Sequence, residues 1–244
     1  MSLSEGKEIV DIHSHILPEV DDGSESMETS LEMLKIAESE GITRMIATPH
    51  YKNHHHSATP EKTKALLAEL TRKASDENIK IKLSLGNEVL YFSDIEEAFE
   101  DKKFLTMCEK DCLFIEFYPD DDFSRIRDGV ETVLSMGLIP IIAHVERYMV
   151  LRKDIKKIDH LKNMGAMITV NADSVLGNTG FSTKQFVKGL LKLRYIDMIG
   201  TDSHDTANRP PRIARCRKYL YSKYDEQYVD NILFANAIKL FEMK

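Results

Sequence analysis

Short β-branched or apolar runs alternate with amphipathic, charge-studded segments from Ile9 to the end of the chain, and few architectures accept such a pattern. It is the signature of βα units on a parallel sheet, hence of an α/β fold. The runs that read as strands are Ile9–His13, Arg44–Thr48, Ile79–Gly86, Leu113–Phe117, Ile139–His144, Met167–Asn171 and Met198–Asp202. Several are apolar without alternation, as strands covered on both faces should be. A first helix is expected from Ser26 to Glu40, with Leu31, Leu34 and Ala37 at helical spacing and Gly41 just past its end. Thr59 and Pro60 read as the N-cap and first residue of a helix ending near Asn78. Ser93 with Glu96, and Ser182 with Gln185, have capping-box spacing. Gly137 and Gly165 stand where two further helices should stop, and Asp225 to Phe241 reads as a last amphipathic helix.

No Pro/Gly/Ser-rich linker, composition break or repeat interrupts this order, so residues 1–244 read as one domain. An open doubly wound sheet and a closed barrel both fit alternating βα units. The glycine-rich phosphate turn of a nucleotide-binding sheet is missing after the first strand, where His13-Ser14-His15 stands. That favours a barrel.

Composition narrows partners and compartment. With 33 basic against 40 acidic side chains the formal charge is −7, which argues against a surface that wraps nucleic acid. The polar start from Met1 to Glu8 has no signal-peptide run, and no uncharged stretch approaches a membrane span. Cys108, Cys112 and Cys216 are too few, and of the wrong parity, for a disulfide framework. Reduced thiols in the cytoplasm are the expectation. A cysteine-nucleophile phosphatase needs Arg six positions after Cys; Phe114, Tyr118 and Ser222 occupy those positions, so that class is rejected.

Chemistry gathers at the C-terminal ends of the strands. The first ends in Asp11-Ile12-His13-Ser14-His15, the second in Thr48-Pro49-His50, the third in Gly86-Asn87-Glu88 and the fourth in Ile115-Glu116-Phe117. The fifth ends in Ala143-His144-Val145-Glu146-Arg147 and the seventh in Thr201-Asp202-Ser203-His204. In a parallel barrel these ends converge on the face where active sites are built. His13 with His15, and Asp202 with His204, are i, i+2 pairs whose side chains point the same way in extended chain. Crowding so many imidazoles and carboxylates without a cation would be costly, so the pattern predicts a metal cluster. Mixed imidazole and carboxylate ligands suit Mn, Fe or Zn better than Ca or Cu(I). More than four strong candidates suggest two or three ions, for which phosphoester hydrolysis is the natural chemistry. Arg147 and Arg209 each follow a ligand segment, and guanidinium forks match phosphate oxygens.

These residues, with Ile16-Leu17-Pro18, Asp21-Asp22-Gly23, Tyr148 and Arg209-Pro210-Pro211, resemble the polymerase-and-histidinol-phosphatase (PHP) superfamily. Within it they look like the bacterial manganese-dependent protein-tyrosine phosphatases of capsule and exopolysaccharide loci. The resemblance runs from the first strand to the chain end. It implies a distorted (β/α)7 barrel, TIM-barrel-like, holding three divalent metal ions, Mn2+ ahead of Fe or Zn. Carried over by motif, His13, His15, Glu88 and Asp202 hold the first ion, Glu88, Glu116 and His144 the second, and Asp22, His50 and His204 the third. Asp22 comes from the resemblance alone, because it lies in the loop after the first strand. Arg147 and Arg209 match the family's phosphate-binding arginines. The implied substrate is phosphotyrosine in the tyrosine-rich tail of a membrane-associated autokinase controlling polysaccharide export. Val145 stands where relatives often have Pro, and Asn236-Ala237 where they have Asn-Pro; neither position is a ligand.

Other features are read plainly. His54-His55-His56 is expected to be a loop after the second strand, Asp120-Asp121-Asp122 a solvated acidic loop, and His160 a helix residue without an evident partner. Tyr51 fits burial as well as stacking on a substrate ring. The rival readings are a PHP phosphatase of a metabolite such as histidinol phosphate, a polymerase-associated exonuclease module, and a metal-stabilised binding module without turnover.

Overall fold

A computed structural model describes residues 8–53 and 57–241, so the His54–His56 tract lies outside the described residues. The strands are β1 (Val10–Ser14), β2 (Arg44–Ala47), β3 (His50–Tyr51), β4 (Lys82–Leu85), β5 (Glu88–Leu90), β6 (Cys112–Glu116), β7 (Ile139–Ile142), β8 (Met167–Asn171) and β9 (Met198–Gly200). All strand pairs are parallel, in the orders β1-β2-β4 and β3-β5-β6-β7-β8-β9. The second and third expected strands are each broken in two. Thr48-Pro49 separates β2 from β3, and Gly86-Asn87 separates β4 from β5. Proline has no N–H for the ladder, and a Cβ at Gly86 would stand 2.5 Å from Met107 Sδ. Buried Asn87 ties the two breaks together, its Nδ2 donating to Pro49 O at 2.8 Å while its Oδ1 accepts from Leu105 N at 2.9 Å. The result sets His50 directly opposite Glu88 in the register of β3 on β5.

β1 also meets the far end of the order. Asp202 N donates to His13 O and His15 N to Ser203 O, both at 2.8 Å, and Ser14 bridges Ser203. The parallel sheet is therefore curled, bringing its first and last strands together.

The helices are α1 (Met27–Ser39), α2 (Pro60–Asp76), α3 (Ile95–Glu100), α4 (Phe123–Ser135), α5 (Met149–Lys153), α6 (Lys156–Met164), α7 (Ala172–Leu176), α8 (Phe181–Leu193), α9 (Ala214–Lys223), α10 (Glu226–Asp230) and α11 (Asn236–Phe241). Ser26 and Thr59 cap α1 and α2 as expected, accepting from Thr29 N and Lys62 N. The other two expected caps fail. α3 follows Asp94 without a side-chain cap, and α8 starts at Phe181 after Gly180 at φ 115°, which leaves Ser182 inside the first turn, bonded to Arg152. A backbone turn open to glycine set that start, and a spacing rule cannot see it. The acidic loop is not simply solvated, since Asp122 caps α4 and Asp121 accepts from Tyr118 N. The last helix is interrupted by a π turn at Asn231–Ala235.

Two apolar clusters hold the sheet. One lies between strands and helices and includes Leu34, Met45, Ile115, Ile142, Ile168, Val187 and Leu220. The other lies inside the curl and joins Val10, Ile12, Ile46, Phe114, Ile141 and Met198 to Ala237 and Phe241 of α11. Val10 and Met198 open their strands, so the C-terminal helix closes the end opposite the ligand-bearing tips. Tyr51 is buried against Phe92 and Phe104, and His160 meets Phe123 edge-on.

Candidate metal centre

Local backbone irregularities aim the side chains. Val10 and Ile12 face the inner cluster, so strict alternation would turn His13 away from it. The register of β1 on β2 shifts between Asp11 and Ser14, and His13 packs edge-on against inner Phe114, ring centroids 4.8 Å apart. Such irregularities re-aim side chains beside active sites. His144 and Asp202 adopt left-handed backbone at φ 30° and 56°, a strain of about 1 kcal/mol or more each for non-glycine residues. Asp202 and His204 therefore converge by a turn, not by the extended spacing expected of them. Glycine completes the packing: a Cβ at Gly200 would lie 2.6 Å from His13 Cβ, and one at Gly23 only 2.2 Å from His15 O.

The nine expected ligands come together in four overlapping groups. Glu88 is the centre. Its Oε2 stands 3.1 Å from His13 Nε2, 3.2 Å from His15 Nε2 and 3.2 Å from His50 Nδ1, while Oε1 meets His144 Nε2 at 2.8 Å. Glu116 Oε1 is 3.1 Å from His50 Nδ1. Asp202 Oδ1 is 3.5 Å from His13 Nε2 and 3.6 Å from both His15 Nε2 and His204 Nδ1. Asp22 Oδ1 approaches His50 Nε2 at 3.4 Å and His204 Nε2 at 3.7 Å. His50 thus presents one ring nitrogen to the Glu88–Glu116 group and the other to the Asp22 group.

This donor set fits divalent cations. With metal bonds of about 2.0–2.2 Å to nitrogen or oxygen, neighbouring donors in an octahedral or tetrahedral shell stand about 3.0–3.5 Å apart. The nitrogens around Glu88 Oε2 have that separation. Glu88 Oε2 and His50 Nδ1 are both buried and neither makes a well-formed hydrogen bond, an arrangement a cation resolves. Burial alone would raise Glu88, but His13 and His144 outweigh it and hold the carboxyl well below its ordinary range. Burial and the neighbouring His15 lower His204 to about 3, and burial lowers His13, so both imidazoles give up a proton more readily, as ligation requires.

Arg147 and Arg209 sit at the rim and both pair with Asp202, Arg209 Nη2 at 2.6 Å from Oδ1. They line a chamber of about 230 Å³ together with Asp22, His50, Glu116, His144 and His204, walled by Leu90, Phe117, Tyr118 and Pro119. A larger cavity, about 730 Å³, lies between α2 and β4 and contains none of the nine. Burial pushes the thiols of Cys108 and Cys112 up to about 12 and about 11, and that of Cys216 further, so none is an activated nucleophile.

Residues 9–242 match the family model for capsular polysaccharide synthesis, CpsB/CapC. The chain belongs to this family. It is 34% identical to the putative tyrosine-protein phosphatase CapC of Staphylococcus aureus, over 83% of this chain and 79% of the relative. It is 28% identical to the tyrosine-protein phosphatase CpsB of Streptococcus pneumoniae, over 91% and 96%. A structure from the work on YwqE of Bacillus subtilis and CpsB of S. pneumoniae, metal-dependent tyrosine phosphatases, superposes with TM-score 0.88 at 26% identity, covering 96% and 94% of the two chains. A phosphotriesterase homology protein of Escherichia coli shares the fold alone, with TM-score 0.61 at 11% identity.

In this CpsB/CapC chain three residues have supporting roles that the motif reading did not assign. Asp21 Oδ2 is 2.7 Å from His15 Nδ1 and accepts from His50 N at 2.9 Å, so one carboxylate orients two candidate ligands. Burial would lower His15, but Asp21 outweighs it and carries the imidazole up to about 10, while His15 holds Asp21 well below the carboxylate range. Asp11, raised by burial to about 6, accepts from Thr201 N at 2.8 Å and from His13 N, joining β1 to the Asp202 turn. Asn171 Nδ2 donates to Asp202 Oδ2 at 2.7 Å, and its N donates to buried Glu146. Asn171 ends the sixth expected strand, the one tip without His, Asp or Glu. The positional rule that found the others would have found it had amides been admitted.

Proposed function

We propose that this chain is a metal-dependent protein-tyrosine phosphatase, built as one domain over residues 1–244 on a distorted (β/α)7 barrel. The observation that carries the reading is the convergence of nine imidazole and carboxylate donors in overlapping groups, six of them lining one chamber with Arg147 and Arg209 at its rim. His13, His15, Glu88 and Asp202 would hold one divalent ion, Glu88, Glu116 and His144 a second, and Asp22, His50 and His204 a third, Mn2+ being the preferred metal. Such ions, when bound, polarise phosphoryl oxygens and make water acidic enough to react near neutral pH.

The chain's own residues do the rest. Arg147 and Arg209 offer guanidinium forks to the non-bridging phosphate oxygens and fix the phosphoryl group for in-line attack. Leu90, Phe117, Tyr118 and Pro119 give the chamber an apolar wall that suits an aryl ester better than the ammonium-bearing histidinol phosphate. Phenolate, with a pKa of about 10, is a fair leaving group and asks less of a general acid than an alkoxide does. The substrate in this reading is phosphotyrosine in the tail of a membrane-associated autokinase, met in the cytoplasm. Among the described residues no helix is long and apolar enough to cross a membrane.

One assay tests this. Protein loaded with Mn2+ is offered a phosphotyrosine peptide, histidinol phosphate and single-stranded DNA, each with and without chelator. Hydrolysis of the peptide that chelator abolishes and Mn2+ restores is expected. Turnover indifferent to chelator, or a preference for histidinol phosphate or DNA, overturns the proposal.

A further inference from the structure

Beside the metal chamber lies a second cavity of about 450 Å³, lined by Arg147, Arg209, Arg212 and Arg215 with Asn178 and Thr179 among its polar residues. The two cavities share Arg147, Asp202 and Arg209, so these side chains form the partition between them. We infer that the second cavity is a subsite for the carboxylate side chain of an Asp or Glu flanking the phosphotyrosine of the substrate. The inference rests on the phosphatase reading and extends it to sequence preference.

The charge of the cavity carries the argument. Three carboxylates stand on its wall, and each is already engaged. Glu40 Oε2 accepts from Ile213 N at 2.9 Å and Ala214 N at 2.7 Å, Asp173 Oδ1 accepts from Asn178 Nδ2 at 2.6 Å, and Asp202 takes both rim arginines and Asn171. The side chains of Arg212 and Arg215 make no ion pair among the described residues. Both are solvent-exposed, yet their backbone is fixed, because Glu40 anchors the start of α9 and Arg212 N donates to Pro210 O at 2.8 Å. Two guanidiniums without an ion pair among the described residues, on a pinned segment next to a phosphate site, select a carboxylate by charge and by its match to the guanidinium fork. A lysine in the same place would face the like charges of Arg212 and Arg215. Successive residues of a peptide lie about 3.8 Å apart at Cα, so one extended substrate can reach both chambers across their common wall.

The test compares two peptides that carry a non-hydrolysable phosphonate analogue of phosphotyrosine, flanked by Glu or by Lys, with binding read by fluorescence anisotropy on the Mn2+-loaded protein. The Glu peptide is expected to bind about tenfold more tightly, as two partly exposed ion pairs exchanged for two repulsions allow. In the double variant Arg212→Glu, Arg215→Glu that ratio should collapse to one or invert. The ratio is insensitive to a general loss of fold or metal, which weakens both peptides alike. A control with the same charge change on exposed residues of α8, Lys188→Glu with Lys192→Glu, should keep the wild-type ratio. Equal binding of the two peptides by the wild type, a ratio that survives in the arginine variant, or a control that shifts it equally overturns the subsite. Failure of the wild type to hydrolyse phosphotyrosine, scored on a separate sample, would overturn the phosphatase reading instead.

Discussion

Glu88 and Asp22 serve the same cluster of candidate ligands under opposite conditions: 1% of the Glu88 side chain is exposed against 65% of Asp22. Glu88 is placed by strand pairing, lying opposite His50 of β3 on one side and Phe114 of β6 on the other. Asp22 is placed by a loop, and that loop depends on its neighbours. Gly23 N donates to Asp21 Oδ1 at 2.9 Å and Ser24 N to His15 O at 3.0 Å. Donors inside the curl are thus set by strand pairing before any ion arrives, whereas the donor at the mouth is held by a loop that rests on one backbone bond and one bond to the Asp21 side chain. The buried half should fail completely when altered and the open half by degrees.

The largest effect is expected at the buried centre. Glu88→Gln removes the one carboxylate that faces His13, His15, His50 and His144 together. Bound metal measured by elemental analysis should fall by at least one equivalent. Losing several kcal/mol of metal-derived transition-state stabilisation should cut turnover by about 10³-fold. Retention of full metal content would break the contrast with Asp22. Next comes Gly200→Ala, whose Cβ would press on His13 at 2.6 Å. Overpacking at such a site costs about 2 kcal/mol, a fall in melting temperature of roughly 4–8 °C for a chain of this size. An unshifted melting curve would show that β1 can move aside and that the buried half is less rigid than its packing implies.

How much of this could be read from the chain follows the same division. The alternation of apolar runs and amphipathic segments is a long, repeated signal, and β1, β6, β7, β8 and β9 lie within two residues of their expected ends. The breaks at Thr48-Pro49 and Gly86-Asn87 were hidden because each sits inside a run that reads as one strand. The contact that demands Gly86 comes from Met107, distant in sequence. Eight of the nine donors were legible because residue type and strand-tip position agree, and the ninth, Asp22, was legible only through motif resemblance. Asp11 and Asn171 act through hydrogen bonds to residues 190 and 31 positions away. No local pattern encodes such partners. Ser93 and Ser182 failed as caps for the converse reason, since their spacing is local and tertiary turns decided otherwise.

Asp21→Asn tests the link between the two halves, because it touches the loop and a buried imidazole at once. Metal affinity should drop about 10–100-fold, the usual cost of losing a carboxylate behind a ligating histidine. The metal-free protein should also lose a pH dependence. His15 is raised from 6.5 to about 10 in the folded state, so its pairing stabilises fully below about pH 6.5 and is lost as pH rises through about 10. Urea unfolding in chelator should show wild-type stability falling over that interval by about 3 kcal/mol, the scale of a broken buried pair, and the variant should stay nearly flat. Equal slopes would mean that Asp21 does not hold the charge on His15.

The smallest effect is expected at the mouth. Asp22→Ala deletes an exposed carboxylate that stands 3.4 Å from His50 Nε2 and 3.7 Å from His204 Nε2, without a hydrogen bond of its own to either. Stability should change by no more than about 0.5 kcal/mol, as for other surface substitutions. His15, His50 and His204 remain to share whatever the group binds, so the loss should be confined to one ion. Calorimetric titration with Mn2+ should then show one weakened site beside others of wild-type affinity. If instead all sites weaken together, as expected for Glu88→Gln, the mouth and the centre bind as one cooperative unit, and the exposure that distinguishes Asp22 from Glu88 has no energetic counterpart.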